Sequence, residues 1–241
     1  MIPNLKRVSA PLRAADLIPL LLTILIVACA AGGARGSVRH INVRDGLSSR
    51  QVYEVDEDPD RFIWFYTNSG IDRFDGHNMK HYSLNPGEDR NDHIQSATSM
   101  ETAPDGTLWI AVKSGAIYRY DRRLDRFDQV FSFGDPSIML YNFTFTPDGD
   151  LVVCGSNGLY LCSEGREIEK MALDGKLVRA VARGADGSYY AGTDHGLYNI
   201  VKIGNSWRSN FVKGTEGVNI LSIVPASGKL YIGSFSTPKE P

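Results

Sequence analysis

Cysteine is scarce in this sequence. Three in 241 residues are too few for a disulfide framework. An excess of one charge is also missing: 26 Lys and Arg stand against 28 Asp and Glu, a formal net charge of −2. That balance offers no basic field to a nucleic-acid backbone. Beyond residue 31 there is no second long apolar run, and no stretch sustains an apolar period of 3.6. Nucleotide-binding glycine boxes, a Gly-x-Ser-x-Gly elbow, a His-Glu-x-x-His helix and a Cys-x-x-Cys pair are all absent. Nucleic-acid binding and a helical fold are thereby excluded, and neither a cofactor nor a metal is expected.

What is present divides at the N-terminus. Lys6, Arg7 and Arg13 form a positive start, and an apolar run from Leu17 to Ala31 follows, broken only by Pro19 and Thr23. Small residues end it, the pattern of an export signal too short for a comfortable membrane span. Residues 1–31 are therefore read as a signal peptide and 32–37 as a linker. Within the signal, Ile26-Val27-Ala28-Cys29 is similar to the lipobox of bacterial lipoproteins, which would make Cys29 a lipid-attachment residue. The same letters also fit an ordinary cleavage pattern, so both readings stand. The address expected is the periplasm, with a membrane-anchored lipoprotein as the alternative.

The body of the chain is a repeat. Phe62-Ile63-Trp64 through Gly70 to Phe74 is matched by Leu108-Trp109 through Gly115 to Tyr120. Leu151-Val152 through Gly158 to Tyr160, then Tyr189-Tyr190 through Gly196 to Tyr198, continue the series, and Leu230-Tyr231 begins a fifth copy. The large residues at 64, 109, 152, 190 and 231 are separated by 45, 43, 38 and 41 positions. Gly70, Gly115, Gly158 and Gly196 each follow by six. Turn pairs such as Asp105-Gly106, Asp148-Gly149 and Asp186-Gly187 precede the strands, which are rich in β-branched and aromatic residues. A period near 42 with about four short strands per unit predicts an all-β fold of β-propeller blades.

Four complete four-stranded blades and a partial fifth are expected over residues 38–235, with 236–241 a tail. A further strand is expected at 38–43, which would complete the last blade of a closed ring. Five incomplete blades cannot close, so the chain reads as the N-terminal part of a larger propeller, with open β edges that favour aggregation or a partner.

At these residues a family resemblance becomes specific. Asp45-Gly46-Leu47-Ser48, then Ile63-Trp64 to Thr67-Asn68-Ser69-Gly70, then Arg73-Phe74-Asp75-Gly76 resemble the opening of the two-component regulator propeller family, and the likeness runs over about 38–235. Such repeats build the periplasmic sensors of hybrid histidine kinases of Bacteroides-type bacteria. The resemblance implies signal transduction through a phosphorelay, with a glycan fragment as ligand and a homodimer formed through the full-length sensor. The kinase itself is not in this chain, which holds no phosphoacceptor helix. The expected role is thus non-enzymatic recognition. Two alternatives are a surface lipoprotein scaffold for adhesion or protein binding, and a propeller lactonase or lyase with carboxylates or histidines converging on the axis.

Candidate side chains follow from blade geometry. Trp64, Trp109, Tyr190 and Tyr231 recur once per blade and are read as packing between blades. Asp56-Glu57-Asp58-Pro59-Asp60 lacks the glycine and final Glu of a calcium loop and is read as a solvated turn. Loops joining second to third strands gather with the inter-blade loops on one rim. There Asn68, Lys113, Asn157, Asp194 and His195, with Arg90, Asp92 and His93 of the longest inter-blade loop, are the candidate ligand contacts. Cys154 and Cys162 sit on opposite arms of one hairpin but not opposite each other, and are read as buried free thiols. The only membrane contact expected is through the signal or a lipid anchor.

Overall fold

A computed structural model of the chain describes residues 38–82 and 97–235. Eighteen strands fill them. The first sheet comprises β1 (Val52–Glu57), β2 (Ile63–Thr67), β3 (Gly70–Phe74) and β4 (Met79–Tyr82). The second comprises β5 (Ala97–Thr102), β6 (Leu108–Val112), β7 (Ala116–Asp121) and β8 (Arg126–Ser132). The third is β9 (Leu140–Phe145), β10 (Leu151–Gly155), β11 (Gly158–Cys162) and β12 (Glu169–Ala172). The fourth is β13 (Val178–Arg183), β14 (Tyr189–Thr193), β15 (Gly196–Ile203) and β16 (Ser206–Phe211), and β17 (Asn219–Ala226) pairs with β18 (Lys229–Phe235) alone. Each sheet is an antiparallel meander in chain order. These are four propeller blades and a two-stranded fifth, and no pairing among the described residues joins the last sheet back to the first.

The sheets stack face to face, and one apolar cluster fills each interface. Trp64, Tyr66, Ile71 and Tyr82 of the first blade meet Ile110, Tyr120 and Phe127 of the second. Trp109, Ala111, Ile117 and Phe131 meet Leu140, Phe143 and Val153. Cys154, Leu159 and Met171 meet Val181, Tyr189 and Ile200, and Ala180, Ala182 and Leu197 meet Ile220 and Ile223. Because both faces of a middle blade are covered, β6 and β10 are buried along their whole length. Successive side chains point to opposite faces. Cys154 therefore joins the interface with the fourth blade and Cys162 the interface with the second, and both are free.

The first interface is the most aromatic. The Trp64 ring lies 4.8 Å from Tyr120 and 5.3 Å from Tyr82, edge-on or tilted, an arrangement worth about 0.5–1.5 kcal/mol per pair beyond burial. Its indole N–H donates to Asp58 Oδ2 at 2.8 Å. Asp58 Oδ1 accepts the backbone N–H groups of Asp60 and Phe62, so this carboxylate folds the β1–β2 turn as well. The reading of 56–60 as a solvated turn is thereby corrected: Asp58 is 4% exposed, because a buried tryptophan needs an acceptor for its N–H.

Two further expectations change. Residues 38–43 form no strand; 38–42 are irregular and a short 3-10 turn, Val43–Asp45, follows. A strand there needs the open edge of a last blade, and the described part of the fifth sheet does not pair with it. Asn42 instead caps the turn, its Oδ1 accepting Arg44 N–H at 2.8 Å while Asp45 reaches back to Asn42 N–H. Tyr231 is not packed between blades. It is 57% exposed, and no sheet among the described residues follows the fifth to cover it. Trp64 and Trp109 are buried as expected, and Tyr190 is half-buried against the fifth sheet.

Candidate functional site

The inner strands carry the polar chemistry of the fold. Register makes their positions comparable: Asp56 pairs with Trp64 and Glu101 with Trp109, while Glu54 and Ser99 stand opposite Tyr66 and Ala111. On the third blade the same places are held by Thr144 and Asn142, and on the fourth by Ala182 and Ala180. All these side chains face the blade that follows. Glu54 Oε2 accepts Met100 N–H at 2.7 Å, and Asp56 Oδ2 accepts the Thr102 hydroxyl at 2.5 Å. Glu101 Oε1 accepts the Thr144 hydroxyl at 3.3 Å, and Asn142 Oδ1 accepts Val181 N–H at 3.2 Å. Asn142 Nδ2 reaches back to Ser99 Oγ at 3.1 Å.

This row brings three carboxyl groups together where water is thin. Burial pushes the Glu54 carboxyl up to about 7; the Met100 N–H opposes the shift and the charge of Asp56 adds to it. Burial likewise lifts Glu101 to about 7, against the Thr144 hydrogen bond and with the charges of Glu54 and Asp56. Each can hold a proton near neutrality, which suits either an inter-blade clamp or a general acid. Sequence reading missed the row because no letter repeats in it. The available signal was in β1, where Glu54 and Asp56 are half-buried while Tyr53 and Val55 face outward.

A second constellation anchors the segment before β1. Asp72, fully buried on β3, accepts the N–H and the hydroxyl of Ser48 at 2.8 Å each, and contacts His81 Nδ1 at 2.8 Å. Ser48 Oγ also lies 2.8 Å from Thr67 Oγ1. Ser, Asp and His meet here with the carboxylate in the middle, so the imidazole is not placed to take the serine proton. The arrangement docks Asp45–Ser48 onto the first blade, with Leu47 buried beside Phe65 and Phe74.

The expected loop contacts sit at equivalent short turns of two or three residues. Asn68 is exposed at β2–β3, its Oδ1 accepting the Tyr53 hydroxyl at 3.3 Å. Lys113 is half-buried at β6–β7, and the exposed Asn157 at β10–β11 accepts Gly175 N–H at 2.9 Å. At β14–β15 the Asp194 carboxylate contacts His195 Nδ1 at 2.8 Å. The turn glycines Gly70, Gly115, Gly158 and Gly196 all have positive φ. At Gly196 a Cβ would also stand 2.7 Å from the Thr215 carbonyl oxygen. Arg90, Asp92, His93 and Cys29 lie outside the described residues. No grouping of His, Cys, Asp and Glu among the described residues could hold a metal ion. Nor is any described helix long and apolar enough to cross a membrane.

Among the described residues, clefts occur at the other rim, beside the turns joining first to second strands. They lie between the first and second blades, the second and third, and the fourth and fifth, with volumes of about 520, 420 and 460 Å³.

No family model and no curated protein matches the sequence. Solved structures do. Virginiamycin B lyase of Staphylococcus aureus matches with a TM-score of 0.61 at 15% identity, over 77% of this chain and 64% of that one. The extracellular domain of a protein described as a hybrid two component system of B. thetaiotaomicron matches with a TM-score of 0.61 at 21% identity, over 81% of this chain and 29% of that one. PorZ, a surface component of the type-IX secretion system of Porphyromonas gingivalis, gives 0.54 at 17% identity, over 75% and 30% of the two chains. The chain thus spans less than two thirds of each. At such identities the likeness carries architecture alone, and the architecture is that of consecutive blades of a β-propeller in an unclosed ring.

Proposed function

We propose that this chain is the ligand-binding propeller segment of an exported sensor of the hybrid two-component type, recognising neutral glycan fragments without transforming them. Residues 1–31 direct export, 32–37 link, 38–235 form the blades and 236–241 a tail. Ligand contact biases the arrangement of a dimeric sensor, and a kinase outside this sequence reads that bias. The observation that supports this reading best is the likeness over 81% of the chain to an extracellular two-component domain. The docked Asp45–Ser48 segment, which carries the sequence resemblance, adds to it.

A second reading is favoured by one observation. Glu54 and Glu101 titrate near neutrality on inner strands, and lyase and gluconolactonase propellers share the fold. Thermal melting of the full chain against a panel of neutral oligosaccharides and sugar lactones, with product analysis by NMR, separates the two. Stabilisation by an oligosaccharide that is recovered intact supports the sensor. Turnover of a lactone, lost in Glu54→Gln, overturns it. Cell fractionation tests export, and label from a radioactive fatty acid on Cys29 would move the chain to the lipoprotein scaffold reading.

A further inference from the structure

We infer that the cleft between the second and third blades is a binding site for a neutral saccharide, with the Trp109 indole N–H as its inner donor. The inference rests on the glycan reading above and moves the site away from the loop rim.

The argument comes from comparing two interfaces position by position. Trp64 and Trp109 are register equivalents, each opposite an arginine, Arg73 and Arg119. Asp58 lies two residues beyond Asp56, the partner of Trp64; the same step beyond Glu101 gives Ala103. Tyr120 follows Arg119, and Cys162 follows Leu161, the partner of Val152, so Cys162 holds in the third blade the place of Tyr120 in the second. In the first interface Asp58 accepts the tryptophan N–H and Tyr120 packs on its ring. Arg73 is enclosed there by Tyr120 and Asp125. In the second interface both filling residues are small. Ala103 offers no acceptor, and Cys162, fully buried at the cleft floor, is smaller than the tyrosine that stands in its place one blade earlier.

What results is a cleft of about 420 Å³, lined by Trp109, Ala103 and Cys162. That volume lies within the range of small-molecule sites, about 300–1,000 Å³. Trp109 is 6% exposed, and its indole N–H has no acceptor among the described residues. The N–H is not sealed from solvent; it meets the cleft, where a ligand oxygen can take the place of water as its acceptor. Arg119 lies over the Trp109 ring at 5.3 Å and pairs with Glu164 at the mouth. Phe131 and Phe145 supply apolar walls, and Asp148 and Asp150 add carboxylates. Inner donors, outer acceptors and aromatic walls match a molecule with hydroxyls all round and C–H faces. The excess of carboxylates repels an anionic sugar.

The test uses the full chain with maltose, cellobiose and lactose as probes and glucuronic acid as the anionic control. The readout is the indole N–H signals of the three tryptophans in 15N NMR. A neutral disaccharide is expected to shift the Trp109 signal and leave Trp64, already bonded to Asp58, in place. Ala103→Asp restores the carboxylate of the first interface, so the disaccharide Kd should rise at least tenfold while the melting profile is kept. Trp109→Phe keeps the ring but removes the donor and should weaken binding about threefold to tenfold. Undiminished binding in both variants overturns this site and leaves the glycan reading standing. No response to any neutral disaccharide at millimolar concentration, or a preference for glucuronic acid, overturns the saccharide assignment of the cleft.

Discussion

Ser48 and Asp72, 24 positions apart, are joined twice, by the backbone N–H and the hydroxyl of the serine to one carboxylate oxygen. The bond fixes an irregular segment to a blade without any strand pairing. Removing the hydroxyl in Ser48→Ala should cost about 1–1.5 kcal/mol, and Asp72→Ala about 2–3 kcal/mol, since it strands buried donors. Urea denaturation of the two variants checks the order. Equal stability of Asp72→Ala and the unmodified chain would refute the anchor.

Stability should fall as pH rises from about 4.5 to 7. In the fold Glu54 and Glu101 keep their protons up to about 7, whereas their ordinary value is 4.5. Across that window the unfolded chain releases protons that the fold retains, so the native state loses ground; below it there is no penalty, and above it the penalty is constant. Glu54→Gln and Glu101→Gln keep the acceptors for Met100 and Thr144. Each should match the parent at pH 4 and exceed it at pH 8 by on the order of 1–3 kcal/mol. Melting curves across that range decide it, and parallel curves would contradict the clamp.

Much of the architecture was legible because its signals are periodic. A large residue on the second strand (Trp64, Trp109, Val152, Tyr190) and a glycine six residues on recur in four blades, with Asp-Gly turns in three of them, and hairpin geometry follows from them locally. What was not legible depends on a neighbour remote in sequence. Asp58 reads as a polar turn residue until Trp64 is seen to need an acceptor. Glu54 and Glu101 occupy different register places, so nothing in the repeat aligns them. Residues 38–43 have strand-like letters, but a strand exists only with a partner. The Trp109 cleft is defined by what Ala103 and Cys162 fail to fill, which shows only against the blade before.

Gly192 sets the distance between the fourth and fifth sheets. A Cβ there would stand 2.4 Å from Ile220 Cγ2, closer than packed atoms tolerate. Gly192→Ala should therefore loosen the docking of β17 and β18, at a cost of about 1–3 kcal/mol. Limited proteolysis with mass-spectrometric mapping should find faster cleavage between 212 and 235 and unchanged protection of the first three blades. Uniform sensitivity would show that the fifth sheet does not come loose as a unit.

Cys154 and Cys162 should resist alkylation in the native state. Both are fully buried, and burial raises both thiols, Cys162 to about 12 with the charge of Asp150 adding. Iodoacetamide at pH 8, mapped peptide by peptide so that Cys29 is counted apart, should label neither until denaturant is added. Labelling of Cys162 without denaturant would show that the thiol is reached, either from the adjoining cleft or by opening of the third blade.

The side chains of Glu54, Asp56, Glu101 and Asn142 all reach forward, each to a donor on the strand of the next blade. Order of synthesis then becomes order of completion. Chains leave the ribosome N-terminus first, at about 5–20 residues per second. A newly emerged blade holds acceptors that nothing behind it can satisfy, and it waits several seconds for its successor. Translation speed through one blade thus sets how long the preceding one stays unfinished, and a pause just after a blade would expose these half-buried carboxylates at the moment a chaperone could bind.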